Sequence, residues 1–153
     1  MEDEEVEMDR TKRIKKEREE FIEWKKSICC EGDPQENEDT WIVTMDGPKD
    51  SPYMGGKFKI KINFPSGYPT SKPLVNFITP ICHININPDY ICLTALSQYK
   101  PNYSILYILS QIFMMLTSPN EKSPLNSEYF KLYMDDYSGY LAKARQMTRE
   151  HAH

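Results

Sequence analysis

Three residues that could act together on one substrate lie within ten positions of each other: His83, Asn85 and Cys92. A thiolate is a nucleophile, an imidazole can remove its proton, and a carboxamide can donate a hydrogen bond to a developing oxyanion. Such a set fits two reactions. Either an imidazole-activated thiol cleaves an acyl substrate, or the thiol carries an acyl group as a thioester until an amine attacks it. The spacing alone leaves both interpretations open.

The remaining thiols are Cys29, Cys30 and Cys82, and the spacing of the cysteines matches neither a CxxC pair nor a zinc ribbon. Two of the three histidines, His151 and His153, lie at the end of the chain. We therefore expect no metal site and no cofactor. We expect the other three cysteines to be free thiols that pack as small apolar side chains.

The composition limits the class of protein. The chain has 153 residues, of which 39% are hydrophobic and 27% charged, as expected for one globular domain. Its net charge of −4 argues against nucleic acid as a partner. No apolar run reaches the roughly 18 to 20 residues that would cross a bilayer, and the acidic N-terminus has no apolar signal segment. The sequence favours a cytoplasmic or nuclear protein without a membrane partner.

The N-terminal region is predicted to be mostly helical. We expect an acidic, flexible segment at residues 1–9 and a single domain over residues 10–151. A helix is predicted from about Asp9 to Lys26, because apolar residues recur on one face, and its first half is strongly basic. Ser27–Glu31 is predicted to be a short edge strand.

From Thr40 the apolar pattern has a period of two, which is typical of strands with one buried face. Three strands are predicted, over residues 40–45, 57–64 and 74–78, and with the edge strand they form an antiparallel meander. The segment from Thr79 to Asn102 holds neither period and is rich in apolar residues. It is predicted to be a long, packed functional loop with little regular structure.

The rest of the chain is predicted to be helical. The predicted N-caps are Ser104 for a core helix over residues 105–116, Asn126 for a short helix through Tyr133, and Asp135 or Asp136 for a last helix to about His151. The fold class is therefore α+β: an N-terminal helix, a four-stranded antiparallel meander, a long active-site loop and then C-terminal helices.

A set of short motifs follows in a fixed order along the chain. They are Trp41 through Gly47-Pro48, Ser51-Pro52-Tyr53-Met54-Gly55-Gly56, Tyr68-Pro69 with Pro73, His83-Ile84-Asn85, Ile91-Cys92-Leu93, Tyr99-Lys100-Pro101, and Ser118-Pro119-Asn120 with Pro124-Leu125-Asn126. Each motif is weak alone, but in their order and spacing they resemble the motifs of the ubiquitin-conjugating enzymes. The resemblance covers roughly residues 10 to 150.

The resemblance implies roles for the residues of the long loop. Cys92 would accept the C-terminal carboxylate of a ubiquitin-like modifier as a thioester. Asn85 would either stabilise the oxyanion of the next attack or order the active-site loop. His83 would support that loop rather than act as a general base.

The resemblance also implies a path for the attacking lysine. Ser123 would occupy the gate position and help to orient the lysine amine. Leu96 and Leu125 would line the approach channel. Partial desolvation there would lower the pKa of the lysine amine and so increase the fraction in the neutral, nucleophilic form.

The partners that the resemblance implies are ubiquitin or a related modifier, an activating enzyme, a RING- or HECT-type ligase and protein substrates. ATP would be used by the activating enzyme upstream, so this chain needs no cofactor. The implied docking residues are Lys12, Arg13 and Lys16 on the first helix, and Pro69, Thr70, Pro101 and Asn102 in two loops.

The chain departs from the family pattern at several positions. Ile84 replaces the central proline of the His-Pro-Asn motif, and the stretch from His83 to Cys92 is one residue shorter than usual. Thr70 stands where a large apolar residue is common, which predicts an unusual set of ligases because apolar anchors often dominate interface energy. An inert family variant that acts as a binding partner is the alternative function. A thiol hydrolase has no further support.

Overall fold

The computed structural model describes residues 2–35 and 39–153, with side chains from residue 9 onward in those ranges. Met1 of the predicted flexible segment, and residues 36–38 of the loop after the first strand, lie outside the described residues. Helix α1 spans Glu2–Trp24 and ends in a 3₁₀ turn, Lys25–Ile28. The helix begins seven residues before its predicted start. The acidic residues at the start of this sequence are compatible with an earlier helix start, because negative charge stabilises the N-terminus of a helix.

The predicted four-stranded antiparallel meander is confirmed. Its strands pair in chain order, and they are β1 Cys30–Glu31, β2 Thr40–Asp46, β3 Lys57–Asn63 and β4 Leu74–Phe77. The edge strand is shorter than predicted because Cys29 has a left-handed backbone, with φ of 54°, where the 3₁₀ turn ends. A strand cannot continue through that conformation.

One face of the sheet forms the core, as the period of two predicts. Trp41 and Val43 of β2 lie opposite Ile62 and Ile60 of β3, and none of the four is exposed to solvent. Helix α3, Ile105–Thr117, belongs to the same core. Its buried residues are Ile105, Ile108, Leu109, Ile112, Met115 and Leu116.

The predicted helix caps are confirmed. Helices α4 and α5 span Ser127–Asp135 and Tyr137–His151. The side chains of Ser104, Asn126 and Asp136 each accept a backbone N–H three residues on, at 3.0 Å. Such caps satisfy donors that the first helical turn leaves free. Among the described residues, no helix is both long and apolar enough to span a bilayer.

The segment from Thr79 to Asn102 contains more regular structure than predicted. Strands β5, Ile86–Asn87, and β6, Tyr90–Ile91, form a small hairpin, and a one-turn helix α2 spans Thr94–Ser97. The elements are too short to establish a sequence period, which explains why the pattern did not reveal them. Cys92 follows the hairpin directly.

The connection between β2 and β3 folds back against the core. Gly47 donates its N–H to the Gly56 carbonyl at 2.9 Å, and this closes a loop that buries Tyr53. A Cβ at position 47 would overlap the Tyr53 carbonyl group, whereas one at position 55 would meet only open space. Position 47 therefore has no room for any side chain.

We expect Gly47→Ala to lower the free energy of unfolding by about 2 to 4 kcal/mol, because the backbone around Tyr53 must move. Gly55→Ala is the control. Its φ of +85° disfavours a side chain, and that strain costs about 1 kcal/mol. Urea titrations compare the two variants, and equal losses would contradict the steric argument.

Candidate active site

Cys92 is held at the end of the β5–β6 hairpin. Its backbone N–H donates to the Asn85 carbonyl at 2.8 Å, and the residue is half-buried. Cys30 and Cys82 are buried, and burial raises the pKa of each thiol to about 12. Cys29 is exposed, but it lies at the end of the 3₁₀ turn beside the sheet edge. Cys92 is thus the accessible thiol within the candidate site.

The side chain of Asn85 connects the segment before Cys92 to the loop after α3. Its Nδ2 group donates to the carbonyls of Asn120, at 3.0 Å, and Ser123, at 2.9 Å. Its Oδ1 atom accepts the Asn120 N–H at 2.9 Å. We call this set of three bonds the Asn85 clamp. Both amide hydrogens are used in the clamp, so neither points to an oxyanion in this conformation.

His83 connects the same segment to helix α3. It is fully buried, its Nδ1 atom accepts the Asn85 N–H at 3.0 Å, and its Nε2 atom lies 2.9 Å from the Met115 carbonyl. This pairing requires the neutral tautomer with hydrogen on Nε2. Burial lowers the pKa of His83 to about 4. The imidazole has no free nitrogen for Cys92, which argues against a thiol hydrolase.

Ile84, the residue in place of the motif proline, is fixed by its backbone and by packing. Its carbonyl accepts the N–H groups of Leu125, at 2.7 Å, and Asn126, at 3.3 Å, and its side chain is fully buried. The position is therefore well ordered without a proline ring.

The three residues predicted to guide the attacking lysine differ in burial. Ser123 is half-buried and contributes its carbonyl to the Asn85 clamp. Leu125 is half-buried beside it, whereas Leu96 is 6% exposed and belongs to the core. Ser123 and Leu125 thus lie in the loop that the clamp connects to the Cys92 segment. Leu96 is a buried residue of α2.

Sequence reasoning missed two residues that organise the site. The Tyr53 hydroxyl donates to the Cys82 carbonyl at 2.6 Å, and its ring centre lies 6.0 Å from that of His83. Asn120 provides both a donor and an acceptor to the Asn85 clamp. Both residues stand inside recognised motifs, but those motifs give no indication of which distant residues they contact.

The predicted docking residues fall into two groups. Lys12 and Lys16 are exposed, and neither forms an ion pair with a side chain that the structure describes, from residue 9 onward. The Tyr99 hydroxyl donates to the Pro69 carbonyl at 2.7 Å. This bond joins the segment of Pro69 and Thr70 to the segment that continues to Pro101 and Asn102. We call residues 68–70 and 99–102 the ligase loops, after the role that the sequence resemblance implies for them. No described residues form a cluster of three or more metal-ligand side chains.

Arg13 differs from the other predicted docking cations. Its Nε atom donates to Glu17 at 2.6 Å, and a terminal nitrogen donates to the Tyr103 carbonyl at 3.0 Å. The guanidinium is therefore engaged inside the domain, and only 22% of the side chain is exposed.

The fold and the site together define an α+β domain with a single thiol-centred site. A family model described as ubiquitin-conjugating enzyme matches residues 13–148. The E2 domain of a Toxoplasma gondii ubiquitin conjugating enzyme has a similar structure, with a TM-score of 0.82. It is 27% identical, and the match covers 92% of this chain and 98% of that one. The chain belongs to the ubiquitin-conjugating enzyme family, as the sequence motifs predicted.

The low pKa of His83 makes a prediction about acid stability. Unfolding restores the ordinary pKa of 6.5, so between pH 6.5 and about 4 the unfolded chain binds a proton on His83 that the folded chain does not bind. Stability should fall as the pH drops from about 6.5 to 4, by up to about 3 kcal/mol.

The measurement is the free energy of unfolding across this pH range. His83→Gln should flatten the dependence, whereas His151→Gln, which removes an exposed imidazole, should not. Burial raises the pKa of Glu17, so the folded chain binds a proton there more readily than the unfolded chain, and this contribution to stability grows as the pH falls. It is the same in the wild type and in both variants, so it does not affect their comparison. An unchanged slope in His83→Gln would refute the assignment.

Proposed function

We propose that this chain is an active ubiquitin-conjugating enzyme that carries ubiquitin, or a related modifier, as a thioester on Cys92. The observation that carries the proposal is the placement of Cys92. A half-buried thiol follows a hairpin whose base is fixed to a second loop by the Asn85 clamp. A fixed nucleophile with solvent on one side suits a carrier that must accept and release a large acyl group.

The chemistry consists of two acyl transfers. First, the Cys92 sulfur attacks the modifier's C-terminal thioester on the activating enzyme, a new C–S bond forms, and the activating enzyme's thiol leaves. Then a substrate lysine amine attacks the carbonyl carbon. An amide bond forms, the bond to Cys92 breaks, the thiolate takes up a proton, and the amine loses one to solvent. ATP is consumed upstream, by the activating enzyme, so neither transfer on this chain requires it.

The roles of the surrounding residues follow from their contacts. Asn85 orders the Cys92 segment and the loop between α3 and α4 relative to each other, because its amide is fully occupied between them. We call that loop, residues 118–126, the gate loop. Among the two roles that the resemblance implied, this geometry favours loop ordering over direct oxyanion stabilisation. Ser123 and Leu125, on the ordered gate loop, orient the approaching lysine.

Partner binding uses the exposed face of α1 and the ligase loops. The exposed cations Lys12 and Lys16 bind the activating enzyme, and the ligase loops bind a RING- or HECT-type ligase. Since Thr70 and Asn102 are exposed polar residues in those loops, the ligase interface lacks a large apolar anchor at both positions. The site therefore selects ligases that do not depend on such an anchor.

We expect Cys92 to form a thioester when the chain is incubated with activating enzyme, ATP and ubiquitin. The adduct should be cleaved by a reducing thiol. Cys92→Ser should give a more stable oxyester, and Cys92→Ala should give no adduct. Cys29→Ala is the control, because Cys29 is the exposed thiol outside the site, and it should charge normally.

Charging of the Cys92→Ala variant would overturn the assignment of the acceptor. If neither ubiquitin nor any related modifier charges the wild type, the chain is the inert family variant that acts as a binding partner. Non-reducing electrophoresis with and without thiol distinguishes these outcomes directly.

A second prediction concerns how Asn85 acts. Asn85→Ala removes three hydrogen bonds and leaves backbone groups of Asn120 and Ser123 unpaired, which should cost about 1 to 3 kcal/mol of stability. Charging should be nearly normal, while discharge to free lysine slows about tenfold or more. Hydrogen exchange at the Asn120 amide should accelerate in parallel.

The exchange measurement separates the two roles of Asn85. If the residue acts only on the oxyanion, discharge slows but the Asn120 amide keeps its protection. Ser123→Ala is the control for the gate loop. It removes a hydroxyl that makes no bond to a described residue, so stability should change by less than about 0.5 kcal/mol.

A further inference from the structure

A buried carboxylate connects α1 to the start of α3. Glu17 is 3% exposed, and its Oε2 atom accepts the backbone N–H of Ile105 at 2.5 Å. Ile105 is the first residue of α3, where the helix has unpaired N–H groups and a partial positive charge. Glu17 therefore caps α3 from another helix, in addition to the local cap by Ser104.

Arg13 extends this contact to the ligase loops. It donates to the second carboxylate oxygen of Glu17 at 2.6 Å and to the Tyr103 carbonyl at 3.0 Å. Its guanidinium carbon also lies 5.7 Å from the centre of the Tyr68 ring, a cation–π arrangement. Tyr68 begins one ligase loop, and Tyr103 directly follows the other. One guanidinium thus contacts both loops at their bases.

The two loops are also joined to each other. The Tyr99 hydroxyl bonds to the Pro69 carbonyl, and the rings of Tyr99 and Tyr103 pack edge to face with centres 6.3 Å apart. A change at Arg13 or Glu17 therefore affects both loops together. The side chains of Thr70 and Asn102 are exposed and form no hydrogen bond with a described residue.

We infer that Glu17 and Arg13 are positioning residues for ligase binding, which set the relative arrangement of the two ligase loops. This inference rests on the proposed function. Glu17 is too deeply buried to touch a partner, so an effect of Glu17 on ligase response must act through Arg13 or through the loops. Arg13 keeps little exposed surface and acts in the same way, rather than as a docking cation like Lys12 and Lys16.

The two explanations of Arg13 make opposite predictions for Glu17→Gln. If Arg13 is a docking cation, loss of the Glu17 charge frees the guanidinium, and partner binding is unchanged or improved. If the pair positions the loops, the same substitution weakens the ligase response. Arg13→Lys keeps the positive charge but loses the forked geometry that reaches Glu17 and Tyr103 together, so only the positioning role predicts a defect.

The test uses the full chain charged with ubiquitin on Cys92 and discharged to free lysine, with and without each of a panel of isolated RING domains. The variants are Glu17→Gln, Arg13→Lys and the matched control Glu19→Gln, which removes an exposed carboxylate of the same helix. For Glu17→Gln and Arg13→Lys we expect the concentration of RING domain that gives half-maximal stimulation to rise about tenfold. Charging and unstimulated discharge should stay within about twofold of the wild type.

Several results would overturn the inference. These are an unchanged half-maximal concentration in both variants, an equal change in Glu19→Gln, or a parallel loss of charging and unstimulated discharge in Arg13→Lys. The inference would also be overturned if none of the RING domains stimulated discharge of the wild type. If thermal melting shows that Glu17→Gln does not fold, Arg13→Lys decides alone, since it retains the carboxylate. Failure of the wild type to charge refutes the proposed function itself and is seen before any RING domain is added.

Discussion

The side-chain amide of Asn85 is the contact on which the candidate site depends. It satisfies two carbonyls and one N–H of a loop some 35 residues away in sequence, and its own backbone carbonyl accepts the N–H of Cys92. One buried residue therefore fixes both the thiol and the loop between α3 and α4. Because each of its polar atoms has a partner, movement of either loop would leave a buried group unpaired, and such groups are costly.

The core supports this contact through α3. The helix is capped at its start by Ser104 and Glu17, its buried residues belong to the same core as the sheet, and its Met115 carbonyl pairs with His83 near its end. The His83 ring in turn accepts the N–H of Asn85. A single helix thus connects the ligase loops at one end with the segment that holds His83 and Asn85 at the other, without any residue of α3 belonging to either.

Much of the fold could be predicted from the sequence because it depends on local rules. The period of two in residues 40–45 and 57–64 predicted the strands, and Ser104 and Asn126 predicted two helix starts. The one-turn helix and the β5–β6 hairpin could not be predicted, since two-residue strands leave no period. In the candidate site, the motifs predicted roles for Cys92 and Asn85, but the use of Arg13 inside the domain depends on Glu17 and Tyr103. Contacts of that kind, between residues far apart in sequence, are not visible in spacing.

Ile84 has a consequence for how the site gains its order. A proline restricts the backbone in the unfolded chain as well as in the folded one, so part of the ordering entropy is absent from the folding reaction. With isoleucine the unfolded segment is freer, and its arrangement comes from two hydrogen bonds to the Ile84 carbonyl and from a fully buried side chain. The geometry around Cys92 is in this chain a product of the folded core, and it is present only for as long as that core is intact.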